Sequence, residues 1–350
     1  MEKKIKIGSR YVGEGEKTFI VAEVSANHLQ DYDRAEAIIR AAAEAGADAV
    51  KLQTYTPDTI TLDCDNAYFQ ITQGTIWDGT TLHKLYETAY TPWEWQPKLK
   101  KFAESLGMEC FSSPFDATAV DFMHEMDMPA YKIASFEIND IPLIRKIAKI
   151  GKPIIFATGI AYLEDIERAL RVCKEEGNGQ IALLKCTSTY PSPYEDMNLK
   201  VIPNMAQVFD CIAGLSDHSM GSVAAVAGVA LGARIVEKHL TLSRADGGPD
   251  AAFSMEPAEF KRMVDEIRIV EKALGEVTYE LTDRQKRSRE DGRSLFAVKD
   301  IKAGEVFTEE NIRSIRPAFG MHPMYYDEVL GQKAKSDIAK GTPMDWKYIL

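Results

Sequence analysis

The sequence lacks the features of secreted, disulfide-stabilised and membrane-spanning proteins. Its five cysteines are odd in number and form no C-x-x-C pair, so we expect free thiols in a reducing cytoplasm. The first residues contain no apolar stretch of the kind found in signal peptides. The longest apolar run, around VAAVAGVALGARIV, is interrupted by Arg234 and is too short to cross a bilayer. These absences predict a cytoplasmic protein that spans no membrane.

The chain also has fewer positively charged than negatively charged residues. The 42 Lys and Arg residues against 53 Asp and Glu give a formal net charge of −11, which argues against a nucleic-acid-binding surface. An anionic substrate would therefore need a local basic pocket. No G-x-G-x-x-G follows the first predicted strand and no Walker A loop occurs, so a doubly wound sheet is the weaker alternative for the fold.

What the sequence does contain is a regular alternation of strand-like and helix-like segments, eight times in about 275 residues. The predicted strands are 18–24, 49–54, 108–114, 130–135, 153–158, 180–187, 211–217 and 233–240. The predicted helices that follow them are 31–46, 92–106, 116–127, 140–150, 162–176, 198–208, 220–232 and 256–274. This order predicts an α/β fold, a (β/α)8 TIM barrel.

The tail of the chain has a different character. The element D-I-x-x-G occurs twice, beginning at Asp300 and at Asp337, and this weak repeat suggests a small separate β-rich module. A charged stretch precedes it and is the predicted linker. We therefore predict a catalytic barrel over residues 1–280, a linker over 281–292 and a tail domain over 293–350.

Every predicted barrel strand ends in polar side chains, at the end where TIM barrels carry their active sites. In chain order these are Glu23, Lys51, Gln53, Ser112, Ser113, Lys132, Ser135, Thr158, Lys185, Thr187, Asp217, His218, Glu237 and His239. Side chains alternate along a strand, so His239 shares a face with Glu237 while Lys238 points away. By the same rule we expect Cys186 to point away from Lys185, as a small core residue and not a nucleophile.

Three of these groups are lysines from alternate strands, namely Lys51, Lys132 and Lys185. Even-numbered strands contribute to the same layers of a barrel interior, where three ammonium groups would repel one another. A phosphate or carboxylate ligand between them would remove that repulsion, with help from the hydroxyls of Ser135 and Thr158. The alternative is that each lysine pairs with a carboxylate of the chain. The sequence favours the anion pocket.

Two histidines, His218 and His239, stand at the ends of neighbouring strands, each beside a carboxylate. That arrangement favours a divalent metal with open positions for water or substrate. Polarising a carbonyl is the natural use of such a metal. The other histidines are weaker candidates, on helix surfaces (His83, His124) or in loops that can reach a ligand (His28, His322).

Several of these segments together resemble the sialic acid synthases. The matching motifs, in family order, are IVAEVSANH (20–28), AVKLQTY (49–55), FSSPFD (111–116), YKIASFE (131–137), CTSTYPSP (186–193), GLSDHS (214–219) and EKHLTL (237–242). The tail, with RSLFAVKDIKAGEVFTEENIRSIRP (293–317), resembles the antifreeze-like (SAF) domain of the same family. The resemblance covers nearly the whole chain.

The resemblance implies that phosphoenolpyruvate condenses with an N-acetylated amino sugar to give a nonulosonic acid and phosphate. Catalytic roles fall on Glu23, His218 and His239, with Mn2+ or Mg2+ on the two histidines. The predicted substrate-binding residues are Lys51, Gln53, Lys132, Ser135, Glu137, Thr158, Ser188, Tyr190, Ser216, Asp250 and Arg316. Arg316 matches an arginine that enters the barrel of a partner subunit, which implies a domain-swapped homodimer.

Three positions depart from the sialic acid synthase pattern. Ala157 stands where the pattern has Ser, Ser188 where it has Asn, and Phe136 where it has Gly. The last two resemble the pseudaminic acid synthase branch, as does an insertion at 74–95. Its residues Trp77, Trp93 and Trp95 could cover a sugar, and the alternative for Trp93 and Trp95 is packing against the outer barrel. The expected sugar is then 2,4-diacetamido-2,4,6-trideoxy-L-altrose. An N-acetylneuraminate or legionaminate synthase is the alternative; a metal-dependent pyruvate aldolase and a non-catalytic glycan-binding protein are weaker ones.

Overall fold

A computed structural model describes residues 3–350 of the protein. These residues form two compact units, the first ending at Gly275 and the second comprising Glu276–Leu350. The first unit opens with an antiparallel hairpin, β1 (Lys4–Ile7) and β2 (Arg10–Gly13), which the sequence did not predict. Apolar side chains of the hairpin belong to the same core as inward-facing barrel residues, so the hairpin covers an end of the barrel interior.

Among residues 3–350, eight parallel strands close into a barrel in chain order. They are β3 (Phe19–Glu23), β4 (Ala49–Thr54), β5 (Glu109–Pro114), β6 (Tyr131–Ile133), β7 (Ile154–Ala157), β8 (Ile181–Cys186), β9 (Ile212–Asp217) and β10 (Ile235–His239). Strand β10 pairs with β3, which places His239 beside Glu23. The predicted TIM barrel is therefore confirmed, and each strand lies within its predicted range.

The predicted barrel helices are present, and two further helices lie between β4 and the second predicted helix. In chain order the helices of this unit are α1 (Tyr32–Ala45), α2 (Pro57–Ile60), α3 (Leu82–Ala89), α4 (Gln96–Ser105), α5 (Ala117–Glu125), α6 (Ile141–Ile150), α7 (Leu163–Glu175), α8 (Val201–Val208), α9 (Val223–Ala230) and α10 (Pro257–Leu274). Local chemistry sets their ends. The carboxylate of Asp31 accepts a hydrogen bond from the Arg34 amide, and Gly46 ends α1 with φ 89°.

The second unit contains helices α11 (Asp283–Ser288) and α12 (Tyr326–Val329) and the antiparallel strands β11 (Ser294–Ala297) and β12 (Ile312–Ile315). Helix α11 occupies much of the predicted linker. The two D-I-x-x-G elements meet here: the amides of Ile301 and Ile338 each donate to the other's carbonyl at 2.8 Å. Within residues 3–350, no helix combines the length and the hydropathy that crossing a bilayer requires.

Candidate active site at the barrel mouth

One cavity of about 600 Å³ lies where the barrel strands end, within the size range of small-molecule sites. Most of the predicted site residues line it, from the ends of six strands and the loops that follow them. They are Glu23, Lys51, Gln53, Lys132, Ser135, Glu137, Tyr190, Ser216, His218, His239 and Asp250, joined by Glu237. Thr158, Ser188 and Arg316 are not part of this lining.

Two lysines and two glutamates form the buried floor of the cavity. The Lys51 ammonium lies 2.6 Å from Glu23 Oε2 and 3.8 Å from Glu237 Oε1. The Lys132 ammonium lies 3.4 Å from the same Glu237 oxygen, which also accepts a hydrogen bond from Ser216. The carboxylate pairing that the sequence left as the alternative is thus present at Lys51 and Lys132, and an anion between these lysines stays a prediction.

The two glutamates of the floor have pKa values that are shifted in opposite directions. Burial alone would raise the pKa of Glu237, but Lys132 and Lys51 outweigh burial and lower it, so Glu237 stays ionised. Burial raises the pKa of Glu23 to about 7, against the opposing effect of Lys51. Near neutral pH Glu23 therefore exchanges its proton readily. With Glu23 protonated, two ammonium groups face one carboxylate, and the floor carries a net positive charge.

Lys185 does not join the other two lysines, contrary to the expectation of a three-lysine pocket. Its ammonium is half-buried and donates to the Cys186 carbonyl at 2.5 Å. In β8 the side chains of Ala182 and Leu184 pack inside the barrel, and Cys186 continues that face. The sequence therefore assigned the two faces of β8 the wrong way round.

Cys186 lines the cavity and is not a core residue facing away from it. It is 1% exposed, and its Sγ lies 3.8 Å from His218 Nδ1. Burial alone would raise the pKa of this thiol, but His218, Ser135 and Lys132 together outweigh burial and lower the pKa to about 6. This thiol stands beside the candidate metal ligand His218, and side-chain alternation alone had hidden it.

The alternation was right for β10. Glu237 and His239 both line the cavity, whereas Lys238 points to the outside of the barrel. There the Lys238 ammonium lies 2.7 Å from Asp217 Oδ2 and donates to the Ser219 carbonyl. Asp217 in turn accepts from the Ser219 amide and hydroxyl. This buried ion pair fixes the end of β9 and so the position of His218, the next residue along the chain.

The two histidines stand side by side, with ring centroids 5.2 Å apart. His218 Nδ1 lies 3.2 Å from the Thr187 carbonyl, so a proton on Nδ1 leaves Nε2 open to a ligand. The Nδ1 atom of His239 is buried and has no hydrogen-bond partner in the described part of the chain. Burial and the neighbouring His218 lower the pKa of His239 well below its ordinary value, so its ring is neutral and able to bind a metal.

These two rings fit a divalent cation, because an unpartnered buried nitrogen and a second oriented ring converge on one cavity. Within residues 3–350, no group of three or more His, Cys, Asp or Glu side chains is arranged to hold a metal by itself. A cation on this pair would therefore keep most of its positions for substrate oxygens or water.

Beyond the histidines, aromatic and acidic groups form another part of the wall. The centroid of the Tyr190 ring lies 4.5 Å from the centroid of the His218 ring and 5.5 Å from that of the Trp77 ring. Trp77 comes from the insertion, and its indole N–H donates to the Pro249 carbonyl at 2.9 Å. Asp250 accepts a hydrogen bond from the Ser25 hydroxyl, and burial raises the pKa of its carboxyl.

Three of the predicted substrate-binding residues do not line the cavity. Thr158 does not face the cavity, because its hydroxyl donates to the Leu184 carbonyl at 3.1 Å. Ser188 lies behind the lining, where its Oγ is 3.8 Å from Cys186 Sγ. Arg316 is an exposed residue of the second unit. The Thr158 hydroxyl, which the sequence assigned to anion binding, is therefore already used in a hydrogen bond to the backbone.

Two histidines also differ from expectation. His28 does not reach the cavity: it is buried, its Nε2 lies 3.1 Å from the Thr91 hydroxyl and its ring packs on Trp95. His83 is buried and not at the surface, and its Nε2 lies 3.0 Å from Asp58 Oδ1. That contact joins α3, which lies in the insertion, to α2, which precedes the insertion.

Sequence reasoning missed part of the lining altogether. Ser25 has φ 48°, uncommon for a residue other than glycine, and its hydroxyl lies between Asp250 and Gln53. Most of the other missed residues are apolar or aromatic: Tyr55, Ile60, Ile71, Leu82, Leu85, Tyr86, Ala89, Phe115, Ala134, Phe136, Ala157 and Pro249. Gln73 and Thr75 are the polar ones. Phe136 is 61% exposed although it lines the cavity.

The NeuB family matches residues 38–279, and the SAF domain matches residues 292–349. The chain belongs to the NeuB family. The resemblance to sialic acid synthases is thereby confirmed, as is the SAF assignment of the tail.

Named NeuB-family relatives match almost the whole chain. The pseudaminic acid synthase of Campylobacter jejuni serotype O:2 is 49% identical over 93% of this chain and 94% of its own length. The pseudaminic acid synthase of Helicobacter pylori is 44% identical over 93% of this chain and 96% of its own length. The solved N-acetylneuraminic acid (sialic acid) synthetase of Leptospira borgpetersenii superimposes with a TM-score of 0.73 at 30% identity, over 82% of this chain and 95% of that one.

Proposed function

We propose that this protein is a pseudaminic acid synthase, a transferase that condenses phosphoenolpyruvate and water with 2,4-diacetamido-2,4,6-trideoxy-L-altrose to give pseudaminic acid and phosphate. The observation that carries the proposal is the single cavity in which Lys51 and Lys132 lie next to the paired histidines. An anionic substrate and a carbonyl substrate can meet there. The identity of 44–49% to proteins named pseudaminic acid synthase supports the choice of sugar.

The reaction forms one carbon–carbon bond and releases one phosphate. Carbon 3 of phosphoenolpyruvate attacks the aldehyde carbon of the sugar, water adds its oxygen to carbon 2, and the bond from carbon 2 to the bridging oxygen breaks. A divalent cation, Mn2+ or Mg2+, held by His218 and His239 would supply polarisation of the aldehyde. The ammonium groups of Lys51 and Lys132 stabilise the anionic groups of phosphoenolpyruvate as charge is redistributed between the two substrates.

In this proposal the floor binds phosphoenolpyruvate. Its phosphate and carboxylate compete with Glu23 and Glu237 for the ammonium groups of Lys51 and Lys132, now 2.6–3.4 Å from those carboxylates. The Ser135 hydroxyl accepts a hydrogen bond from the Gly159 amide and can donate to the ligand. Glu23 receives the proton of the attacking water, a role that suits a carboxyl whose pKa burial raises to about 7.

The remaining lining is assigned to the amino sugar. Gln53 donates to Glu23 at 2.9 Å and so stands between the floor and Asp250. Tyr190 and Trp77, whose rings are tilted 57° to each other, give two aromatic faces against which the sugar can pack. The Oε2 atom of Glu137 is buried and, in the described part of the chain, has no hydrogen-bond partner, so it can accept from a sugar hydroxyl or amide.

Arg316 completes the proposed site from a second copy of the chain, in a domain-swapped homodimer. We expect Arg316→Ala to retain the KM for phosphoenolpyruvate and to raise the KM for the sugar at least about tenfold, because it removes a charged hydrogen-bond donor. The matched control is Arg313→Ala, an exposed arginine of the same unit. Mixing Arg316→Ala with Glu23→Gln should restore part of the activity, since one barrel of a mixed dimer then has both groups. Unchanged sugar saturation, or no recovery on mixing, contradicts this assignment.

The test of the reaction is phosphate release measured against a panel of N-acetylated amino sugars. We expect release to require both substrates and to be fastest with the diacetamido trideoxy sugar. An aldolase using a lysine–pyruvate imine would be inactivated by borohydride. Imine formation is disfavoured at Lys51, where Glu23 and Glu237 outweigh burial and raise the pKa of the ammonium. Phosphate release with N-acetylmannosamine and with no other sugar of the panel contradicts the proposal. Inactivation by borohydride also contradicts it.

A further inference from the structure

One wall of the cavity is largely apolar and is formed by α3 and the residues that precede it, with Gln73 and Thr75 as its polar side chains. Helix α3 turns Leu82, Leu85, Tyr86 and Ala89 toward the cavity. Their spacing of i, i+3, i+4 and i+7 places them on one face of the helix. Ile60 at the end of α2 and Ile71 in the connecting loop extend the same lining.

This stripe does not serve the barrel core. In the part of the chain that the structure describes, none of the residues Ile60, Ile71, Leu82, Leu85 and Ala89 belongs to the hydrophobic clusters of the barrel or the tail. Ile71 and Ala89 are nevertheless buried. An amphipathic helix normally turns its apolar face to the core. Here that face borders a cavity of about 600 Å³.

The insertion is held in place by polar contacts away from the wall. The Thr81 hydroxyl accepts a hydrogen bond from the Lys84 amide at the start of α3. His83 Nε2 lies 3.0 Å from Asp58 Oδ1 of α2, and the Leu82 amide donates to the Phe69 carbonyl at 2.9 Å. The wall is therefore a formed surface, as small-molecule sites usually are.

We propose that this wall determines sugar specificity by contacting the methyl group at carbon 6 of the substrate. The inference rests on the proposed function, because it assigns the wall to the sugar of that reaction. A hydroxyl at carbon 6 would meet Ile71, Leu82 and Leu85, which offer no hydrogen-bond partner, and its lost hydration would go uncompensated. A pocket of this type discriminates against an added hydroxyl by about 100-fold.

The test compares the trideoxy sugar with its 6-hydroxy analogue, 2,4-diacetamido-2,4-dideoxy-L-altrose. We expect the full-length protein to prefer the 6-deoxy sugar by about 10- to 100-fold in kcat/KM. Leu85→Ser should reduce that preference to about threefold or less through a higher KM for the deoxy sugar, with the KM for phosphoenolpyruvate unchanged. The matched control is Lys84→Ser, an exposed position on the same helix, which should keep the full preference. Leu82→Ser replaces Leu85→Ser if the latter does not fold.

The possible results distinguish a failure of the wall assignment from a failure of the proposed synthase reaction. Equal kcat/KM for the two sugars in the unsubstituted protein, or an unchanged preference in the folded serine variant, overturns the wall assignment and leaves the synthase reaction intact. Phosphate release with N-acetylmannosamine but with neither diacetamido sugar overturns the proposed function and the wall assignment with it. A retained preference in Lys84→Ser and a lost one in Leu85→Ser supports both.

Discussion

His239→Ala is expected to lower turnover by about three orders of magnitude or more while the protein remains folded. His218→Ala should have the same effect, because either change removes one of two ring nitrogens proposed to hold the cation. Loss of a metal that polarises the aldehyde removes several kcal/mol of transition-state stabilisation, and each 1.36 kcal/mol is a factor of ten in rate. Turnover is measured across a Mn2+ titration, and direct Mn2+ binding is followed by paramagnetic resonance.

The control for this pair is His124→Ala, an exposed histidine on α5 of the same unit. That variant should bind Mn2+ and turn over substrate as the unsubstituted protein does. A His218 or His239 variant that retains full activity in chelated, metal-free buffer contradicts the metal assignment. So does Mn2+ binding that is unchanged in both variants.

Glu23→Gln is expected to give the second large effect, a fall in kcat/KM of about 10²- to 10⁴-fold, the usual contribution of a general base. The pH dependence of activity in this variant also identifies which residue acts as the general base. Burial raises the pKa of Glu23 to about 7, so the active, ionised form is lost as the pH falls through about 7. The unsubstituted protein should therefore lose activity below that pH, and the small residual activity of Glu23→Gln should lack this dependence.

Glu137 is the matched control for that profile. Burial raises its pKa to about 7 as well, and it lines the same cavity, so it is a second carboxyl that can produce the same acid limb. We expect Glu137→Gln to change the KM for the sugar and to keep the acid limb. If the limb disappears in Glu137→Gln and survives in Glu23→Gln, the base is Glu137 and the assignment of Glu23 is wrong.

The fold was largely predictable because each barrel strand is a short apolar run followed by a helical pattern. The C-terminal ends of parallel strands meet at one face, so strand order alone brought Lys51, Lys132, His218 and His239 together. In β10 the polar residues Glu237 and His239 share one face, and alternation separated them correctly from Lys238.

The same rule failed in β8 for a physical reason. Both faces of that strand are apolar, with Ile181 and Leu183 on one and Ala182 and Leu184 on the other, so alternation does not say which face is inside. The presence of Lys185 decided the choice wrongly against Cys186. Parallel strands buried on both sides generally leave this ambiguity.

The apolar wall and the ion pairs were hidden for different reasons. The insertion contains glycine, threonine and aromatic residues that obscure the short stripe of Leu82, Leu85 and Ala89, although its helical spacing was there to be found. The pairing of Lys51 with Glu23 follows from the register of β3 and β4, which places these two residues opposite each other. A lysine-rich sequence pattern alone does not distinguish such pairing from an empty anion site.

The most direct test of the synthase reaction uses phosphoenolpyruvate carrying ¹⁸O in the oxygen that bridges carbon 2 and phosphorus. The labelled compound is incubated with the protein, Mn2+ and 2,4-diacetamido-2,4,6-trideoxy-L-altrose, and both products are analysed by mass spectrometry. The account predicts that the released phosphate retains the label and that the nonulosonic acid carries an oxygen from water at carbon 2. Label retained in the nonulosonic acid, with unlabelled phosphate, would contradict cleavage of the carbon–oxygen bond and with it the proposed chemistry of this site.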